Sequence, residues 1–185
     1  MQQHNTVGVF TIDNIFSQDQ IENWRNMIHN SPDDVKKFNN NGNFKNGKII
    51  DPTTSNVIWE AIRPHLPRSY RDTKNQEWSL IGPSRYVMYA SILPGQSFPI
   101  HTDTGAEYGP EGESKFTVLV YLDEDFIGGH TTFYDYEFQK TVDIVPKMGR
   151  TLMFDIDLYH AGEAVISGKK NWIGTEVVCD KLVFG

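Results

Sequence analysis

A histidine and an aspartate lie two residues apart in the run IHTD, as His101 and Asp103. This run ends a strand-like segment, where side chains two residues apart point the same way, so one imidazole and one carboxylate can reach the same ion. A third ligand must come from elsewhere, and His160 in the run FDIDLYHAG is the best candidate. Two histidines and a carboxylate leave three positions of an octahedral ion open, as is usual in Fe(II) oxygenases. We therefore predict an iron site, which is also the catalytic centre, at His101, Asp103 and His160.

Alternatives to this site must be weighed, because an H-x-D pair also arises by chance beside an exposed turn. The chain has four other histidines, which are His4, His29, His65 and His130. Only the last is a rival ligand, and it follows Gly128-Gly129 with no carboxylate at a suitable spacing, so we interpret it as a turn residue. Zinc hydrolases also use two histidines and a carboxylate. A further feature is needed to choose between the two chemistries.

That feature is a lysine beyond the third ligand. Lys170 follows His160 by ten residues, after Gly168 has turned the chain into a strand whose alternation puts Lys170 and Trp172 on one face. A 2-oxo acid that binds iron and carries a second carboxylate needs a positive charge at its far end. A lysine in a closed pocket supplies a charge-assisted hydrogen bond there. We predict that Lys170 binds the cosubstrate; the alternative is a surface lysine, as we expect for Lys169.

Tyr121 could add a hydroxyl to the same pocket. It lies in the run FTVLVYL, where Thr117, Leu119 and Tyr121 share one face of a predicted strand. Core packing explains an aromatic ring at that position equally well. Both roles therefore stay open for Tyr121 at this point.

These residues lie on or beside short β-rich runs that begin at about residue 84, with Gly, Pro and Asp clusters between them. The predicted strands are Arg85–Ile92, Phe98–Asp103, Phe116–Leu122, Thr131–Tyr134, Val142–Val145, Thr151–Phe154 and Trp172–Cys179. Several short strands at this spacing are typical of an antiparallel sandwich or barrel.

Two amphipathic helices are predicted in the first 83 residues. The first begins at a capping box formed by Ser17 and Gln20, and the second begins near Ser55 and ends before Pro64 and Pro67. Their apolar faces carry Ile21, Trp24 and Ile28 in the first helix and Ile58 and Ile62 in the second.

The remaining N-terminal segments are a predicted strand, Val7–Ile12, and a long loop at residues 31–52, which could close over the site as a lid. Helices followed by strands predict an α+β protein, mainly β, with the N-terminal helices packed on one face of the β core. We predict a single domain over 1–185, with helical support and loop region at 1–83 and the core with the metal site at 84–185.

Composition and charge limit the partners and the location of the protein. The net charge of −7 argues against a nucleic-acid partner, which would normally meet a basic protein. No apolar run is long enough to cross a membrane, and the polar start MQQHNT is not a signal peptide. The lone cysteine, Cys179, cannot form an internal disulfide and is typical of a reducing compartment. We expect a cytoplasmic protein, and the sequence leaves its oligomeric state open.

Three segments taken in order resemble the prolyl 4-hydroxylase-like family of 2-oxoglutarate/Fe(II)-dependent dioxygenases. The run PGQSFPIHTD is similar to the family's P-G-x-x-[YF]-x-x-H-x-D motif. The run FTVLVYLDEDFIGGHTTF is similar to T-x-L-x-Y-L-[ND] followed by G-G-x-T-x-F. The run PKMGRTLMF, followed by His160, Gly168 and Lys170, is similar to the family's P-x-x-G-x-x-x-x-F, H and G-x-K ending. The resemblance covers about residues 84–179.

The resemblance implies a double-stranded β-helix, or jelly-roll, core with Fe(II), 2-oxoglutarate and O2 as cofactor and cosubstrates. It assigns the metal to His101, Asp103 and His160 and the distal carboxylate of 2-oxoglutarate to Lys170. It also implies that Tyr121 could hydrogen-bond to the cosubstrate and that Tyr89 could line the pocket. Phe98 departs from the pattern, because many members have a tyrosine there. The implied reaction is hydroxylation of a C–H bond.

The substrate of that reaction has several candidates. The resemblance favours a prolyl residue in a peptide or protein. The alternatives are the same chemistry on a small molecule or a modified nucleobase, and a non-catalytic jelly-roll binding module. Tyr108 could contact the substrate, because the run TGAEYGPEGESK follows the H-x-D motif and should border the mouth of the site.

Overall fold

The computed structural model describes residues 1–4, 8–31, 44–72, 75–103 and 112–182. The helices are α1, Gln18–Asn30, and α2, Pro52–Ile62, which continues into a 3-10 turn at Arg63–His65. The strands are β1 Gln2–Gln3, β2 Val9–Ile12, β3 Lys45–Ile50, β4 Ser69–Arg71, β5 Glu77–Pro83, β6 Tyr86–Ile92, β7 Phe98–His101, β8 Glu113–Tyr121, β9 Ile127–Gly128, β10 Thr131–Tyr134, β11 Lys140–Ile144, β12 Thr151–Asp155, β13 Tyr159–Gly162, β14 Val165–Ser167 and β15 Lys170–Lys181.

The strands form two main antiparallel sheets. The major sheet has the order β1-β2-β12-β8-β15, and the long strand β15 then pairs with β6 along its first half and with β5 along its second half. Strand β3 extends the sheet beside β6, and β4 extends it beside β5. The minor sheet has the order β11-β10-β13-β7, and β9 and β14 form a separate short pair.

Each face of the major sheet packs against a different layer. One face shares a core with the helices, in which Ile21 of α1 and Ile58 of α2 join Val118 of β8. The other face shares a core with the minor sheet, in which Leu119 of β8 joins Phe133 of β10. Because successive strand residues point to opposite faces, neighbouring residues of β8 belong to different cores. The major sheet is thus buried on both sides.

The helices begin where the sequence provides caps. At α1 the Ser17 hydroxyl accepts a hydrogen bond from the Gln20 main-chain N–H, and the Gln20 side chain accepts one from the Ser17 N–H, which confirms the capping box. Helix α2 begins three residues before the predicted Ser55. Asp51 caps it by accepting a hydrogen bond from the Thr54 N–H, and Pro52 takes the first helical position.

The predicted loop at residues 31–52 is wrong in its last third, because Lys45–Ile50 forms β3 and pairs with β6. Its letters KNGK are polar, and pairing with an apolar neighbour makes the strand. Strands β1 to β5 all lie before residue 84, so the support region is not only helical but adds five strands to the major sheet. Residues 32–43, which carry most of the proposed lid, lie outside the described residues.

The seven strands predicted after residue 84 are confirmed, with their ends shifted by a few residues. Strands β9, β13 and β14 were not predicted. Among the described residues, no helix combines the length and the apolar character needed to span a membrane.

Candidate metal centre and cosubstrate cavity

The three predicted metal ligands meet at one end of the minor sheet. His101 is the last residue of β7, and His160 lies directly opposite it on the neighbouring strand β13. Asp103 follows β7, and its Oδ1 lies 3.5 Å from Nε2 of His101 and 3.7 Å from Nε2 of His160. The three candidate ligand atoms all lie within 4.8 Å of one another. Within the part of the chain that the structure describes, no other such cluster of His, Cys, Asp and Glu occurs.

Both imidazoles are oriented by main-chain carbonyls. Nδ1 of His101 lies 2.7 Å from the Pro99 oxygen, and Nδ1 of His160 lies 2.9 Å from the Leu158 oxygen. A carbonyl oxygen can only accept, so each Nδ1 must carry a proton, and Nε2 is the atom of each ring that can bind a metal when the ring is neutral. The two Nε2 atoms face the Asp103 carboxylate. This neutral N, neutral N and anionic O set fits a divalent cation such as Fe(II).

The Asp103 carboxylate is itself held by the major sheet. Its Oδ2 accepts a hydrogen bond of 2.5 Å from the Thr117 hydroxyl on β8. Burial works to raise the pKa of Asp103, but hydrogen bonding to His101, the charge of His160 and the Thr117 hydroxyl together lower it. Asp103 is therefore ionised, with Oδ1 turned toward the two imidazoles.

The two histidines differ in their protonation. Burial lowers the pKa of His160, which keeps the ring neutral and able to bind a metal. Burial also acts to lower the pKa of His101, but hydrogen bonding to Asp103 and to the Pro99 carbonyl outweighs it, and the pKa is raised. A larger fraction of His101 than of His160 is therefore protonated at a given pH, and a metal ion must displace that proton to bind His101.

A cavity extends from the metal-ligand cluster between the two sheets to Lys170. Its walls are largely apolar and include Leu119, Phe154 and Trp172. Lys170 is 2% exposed, and its ammonium donates a hydrogen bond of 2.5 Å to the Gly129 carbonyl. Burial lowers the pKa of Lys170 to about 7. The structure thus places a buried amine and the three-ligand cluster in one cavity, with Lys170 and Trp172 on the same face of β15 as predicted.

Gly129 is required by the approach of the main chain to Lys170. Its φ is +65°, and a Cβ at this position would lie 3.2 Å from Cδ of Lys170. Any other residue here would have a strained backbone. Its side chain would also crowd Lys170, whose ammonium donates a hydrogen bond to the Gly129 carbonyl.

Tyr121 lies behind the cavity wall. Its ring centroid is 5.2 Å from Nζ of Lys170, and its hydroxyl is 2.7 Å from the Thr131 hydroxyl. Thr131 lines the cavity, whereas Tyr121 does not. The sequence prediction missed Thr131, although it is the T of the G-G-x-T-x-F motif. Burial raises the pKa of Tyr121, so its phenol stays protonated.

Tyr89 does not line the cavity, and this prediction is wrong. On β6 the cavity-side core takes Met88, Ala90 and Ile92, so the alternating residue Tyr89 points to the helix-side core. Its ring lies over Gly47 of β3, where a Cβ would approach the Tyr89 hydroxyl to 2.5 Å.

One buried charge on the cavity-facing side of β15 was not predicted. Glu176 lies opposite Thr117 in the sheet register and six residues after Lys170, which places it on the same face. Its carboxylate accepts a hydrogen bond of 2.6 Å from Ser114 and lies 3.8 Å from Nζ of Lys48. The run TEVVC predicts a buried strand, and nothing in it signals which partners neutralise the acid.

Two other predicted residues have different outcomes. His130 does not belong to the metal-ligand cluster, in keeping with its interpretation as a turn residue. Tyr108 lies outside the described residues, which stop at Asp103 and resume at Gly112.

The geometry agrees with comparisons to known proteins. Residues 84–176 match the family described as the 2OG-Fe(II) oxygenase superfamily. This chain belongs to that superfamily. The matched range contains the three metal ligands, Lys170 and Thr131. A search of curated protein sequences finds no match.

Solved structures show the same fold. A viral collagen prolyl hydroxylase from Paramecium Bursaria Chlorella virus-1, in a 2OG complex, is 21% identical with a TM-score of 0.61, covering 95% of this chain and 96% of that one. A Pseudomonas putida prolyl-4-hydroxylase is 13% identical with a TM-score of 0.63, covering 92% of each chain. A Trichoplax adhaerens prolyl hydroxylase, in complex with a hypoxia inducible factor peptide fragment, is 18% identical with a TM-score of 0.60, covering 94% and 84%.

Family and fold together confirm several predictions. The protein is a mainly β oxygenase of the 2OG-Fe(II) superfamily, with the jelly-roll fold that these prolyl hydroxylase structures share. It is a 2-oxoglutarate-dependent dioxygenase that uses Fe(II), 2-oxoglutarate and O2. The alternative of a non-catalytic binding module is therefore set aside.

Proposed function

We propose that the protein hydroxylates a prolyl residue in a peptide or protein, with iron held by His101, Asp103 and His160. The observation that carries this proposal is the single cavity that joins the three-ligand cluster to the buried amine of Lys170. A metal site alone would serve many reactions, whereas a metal site that shares its cavity with a buried lysine suits a dicarboxylic 2-oxo acid.

Hydrogen bonds from the protein hold the candidate ligand side chains in place. The carbonyls of Pro99 and Leu158 hold the two imidazoles with Nε2 toward the metal, and Thr117 holds one oxygen of Asp103. The three ligands leave the remaining coordination positions to 2-oxoglutarate and O2. When bound, iron and 2-oxoglutarate supply the oxidising chemistry, in which O2 gives one oxygen atom to the substrate C–H bond and one to succinate, with release of CO2.

Lys170 would anchor the distal carboxylate of 2-oxoglutarate. Its ammonium already has a fixed direction, because the Gly129 carbonyl accepts one of its three hydrogens. The Thr131 hydroxyl, oriented by Tyr121, would donate or accept a second hydrogen bond at the same end of the cavity. The apolar walls formed by Leu119, Phe154 and Trp172 would limit the water around a bound cosubstrate, most of all at the buried Lys170, and this would strengthen the electrostatic contact there.

The prolyl substrate is supported by the fold and by the charge of the protein. Three solved structures with this fold are prolyl hydroxylases, and one of them holds a peptide fragment. A net charge of −7 disfavours a polyanionic substrate such as nucleic acid. Oxidation of a small molecule by the same centre is the second candidate, since fold alone does not select the substrate. The cytoplasmic location predicted from Cys179 stays a prediction.

Succinate formation tests the proposal. The protein is purified without oxygen, loaded with Fe(II) and 2-oxoglutarate, and exposed to O2 with and without proline-rich peptides. We expect peptide-dependent succinate and a peptide that gains the mass of one oxygen atom at a proline. A peptide of the same length with alanine in place of every proline is the matched control.

The outcomes separate the candidates. Peptide-independent turnover that increases with an added small-molecule pool would replace the prolyl substrate with a small one. Iron binding without any succinate, even uncoupled from a substrate, would contradict the whole proposal.

A further inference from the structure

We infer that Tyr70 and Asp155 are positioning residues for the metal centre. Neither belongs to the three-ligand cluster, and both act on the turn that joins β12 to β13. The inference rests on the proposed function, because it concerns the ligands of the same metal.

The turn crosses from one sheet to the other and holds the backbone of Asp103. Strand β12 ends at Asp155 in the major sheet, and β13 begins at Tyr159 in the minor sheet. In between, the Ile156 carbonyl accepts a hydrogen bond of 3.0 Å from the Asp103 N–H. Asp103 lies beyond the end of β7, so this bond holds its main chain where the sheet ladder no longer does.

The same turn orients a second ligand. The Leu158 carbonyl accepts the Nδ1 hydrogen of His160 at 2.9 Å, which fixes both the ring direction and the tautomer. Two carbonyls that lie two residues apart therefore set the geometry of two of the three ligands. A shift of this turn would move Asp103 and His160 together.

The turn is locked by the carboxylate of Asp155. One oxygen accepts the Asp157 N–H at 2.9 Å, and the other accepts the Tyr70 hydroxyl at 2.6 Å. The Leu158 N–H closes the turn on the main-chain oxygen of Asp155 at 3.1 Å. Asp155 is 8% exposed, so loss of the phenol would leave a buried carboxylate oxygen short of a donor. That oxygen would then turn toward other N–H groups of the turn, and the turn would shift with it.

Tyr70 is a rigid anchor that comes from the N-terminal region. It lies on β4, 85 residues before Asp155, and its ring packs edge-on against Phe116 with centroids 4.6 Å apart. Burial and the Asp155 carboxylate raise the pKa of Tyr70, so its hydroxyl stays a donor. Strand β4 thus reaches the turn before β13 through the hydrogen bond between Tyr70 and Asp155.

Metal titration with Co(II) alone tests the inference. The metal-free protein is titrated with Co(II), and the visible absorption bands report both affinity and ligand geometry. Tyr70→Phe keeps the ring on Phe116 and removes only the hydroxyl. Tyr134→Phe is the matched control, because it also removes a phenol that donates to a carboxylate, Glu163, at 3.0 Å. Tyr134 lies opposite Tyr159 in the minor sheet, but its hydrogen bond involves neither Asp155 nor the carbonyls of the turn.

We expect Tyr70→Phe to weaken Co(II) binding by roughly tenfold and to alter the absorption bands, as loss of an outer partner does at other metal sites. Tyr134→Phe should leave both unchanged. The affinity of the Co(II)-saturated protein for 2-oxoglutarate should stay near the wild-type value, since Lys170 is held by Gly129. Asp155→Asn keeps one acceptor oxygen and should give an intermediate loss.

Other results would overturn the inference. If Tyr70→Phe and Asp155→Asn lower the melting temperature of the metal-free protein but bind Co(II) with wild-type affinity and spectrum, the pair only stabilises the fold. If the wild-type protein itself does not bind Co(II), the metal centre of the proposed function fails as well, and the two failures are thereby distinguished.

Discussion

The protonation state of Lys170 follows from its burial and its contacts. It is 2% exposed, and among the described residues it contacts a carbonyl oxygen and an aromatic ring but no carboxylate. Burial lowers its pKa to about 7, so near neutral pH about half of the molecules carry an uncharged amine. A carboxylate brought against it favours the ammonium form.

Binding of 2-oxoglutarate should therefore depend on pH. Below about pH 7 the amine of the free protein is already charged, so the affinity for 2-oxoglutarate does not change with pH. Above it, binding must take up a proton, and the affinity falls roughly tenfold per pH unit until the pKa of the complex is reached. Calorimetry on Mn(II)-loaded protein without oxygen, in buffers of different ionisation enthalpy, measures both the affinity and the proton uptake. An affinity that stays constant from neutral to alkaline pH would show that the lysine is charged throughout.

Substitutions should distinguish the residues that bind the metal from the residue that binds 2-oxoglutarate. His101→Ala and Asp103→Ala each remove a metal ligand and should abolish succinate formation. Lys170→Ala should instead raise the 2-oxoglutarate concentration needed for half-maximal rate, by roughly 10- to 100-fold for a lost charge-assisted hydrogen bond. The exposed neighbour Lys169→Ala is the control and should behave as wild type. Normal cosubstrate affinity in Lys170→Ala would refute the anchor assignment.

At the scale of elements, the alternation of side chains along a strand predicts which residues face the cavity only when a polar or charged residue identifies that face. Thr117 identifies the cavity face of β8, and Lys170 identifies that of β15. The residues two positions further along, Leu119 and Trp172, line the cavity as well. Strand β6 reads YVMYASI and is apolar on both faces, so its pattern does not tell which face meets the helices. The resemblance placed Tyr89 in the pocket, and the pattern of β6 could not correct that assignment.

Tyr89→Phe tests that corrected assignment. The Tyr89 hydroxyl is buried and has no hydrogen-bond partner within the described residues, so its removal should leave stability unchanged or raise it by up to about 1 kcal/mol. The affinity for 2-oxoglutarate should not change, because the ring lies on the helix side of β6. Chemical denaturation and calorimetry measure the two quantities, and a weakened cosubstrate affinity would return Tyr89 to the cavity.

Strands β3 and β13 were missed for a different physical reason. The letters KNGK of β3 and YHAG of β13 have weak intrinsic β preference, and both segments become strands because apolar neighbours pair with them on at least one side. His160 was predicted as the third ligand from its residue type and the run FDIDLYHAG, without the strand that holds it. Thus the grouping of the three candidate ligands could be predicted from chemistry, whereas the turn before β13 that orients two of them required the fold.

For the whole molecule, the bound groups should connect the two sheets. The metal ligands lie on or next to β7 and β13 of the minor sheet, while Lys170 lies on β15 of the major sheet. A cosubstrate that binds the metal at one end and Lys170 at the other therefore spans both layers. Each group that binds only the folded protein also stabilises it.

We expect Mn(II) and 2-oxoglutarate together to raise the melting temperature by more than the sum of their separate effects. The reason is that 2-oxoglutarate binds weakly without the metal and links the sheets only when both ends are held. Thermal unfolding without oxygen measures the three shifts, with Lys170→Ala as the control in which the excess disappears. Purely additive shifts would indicate that the two groups bind independently.

The cavity is more exposed at the metal end than at the lysine end. The side chains of His101 and Asp103 are 23% and 28% exposed, while Lys170 is 2% exposed. We therefore expect a molecule bound at Lys170 to pass the metal on its way in and on its way out. The expected order is that 2-oxoglutarate enters before the substrate covers the metal and that succinate leaves after the hydroxylated product. Steady-state kinetics should accordingly show succinate competing with 2-oxoglutarate and not with the substrate.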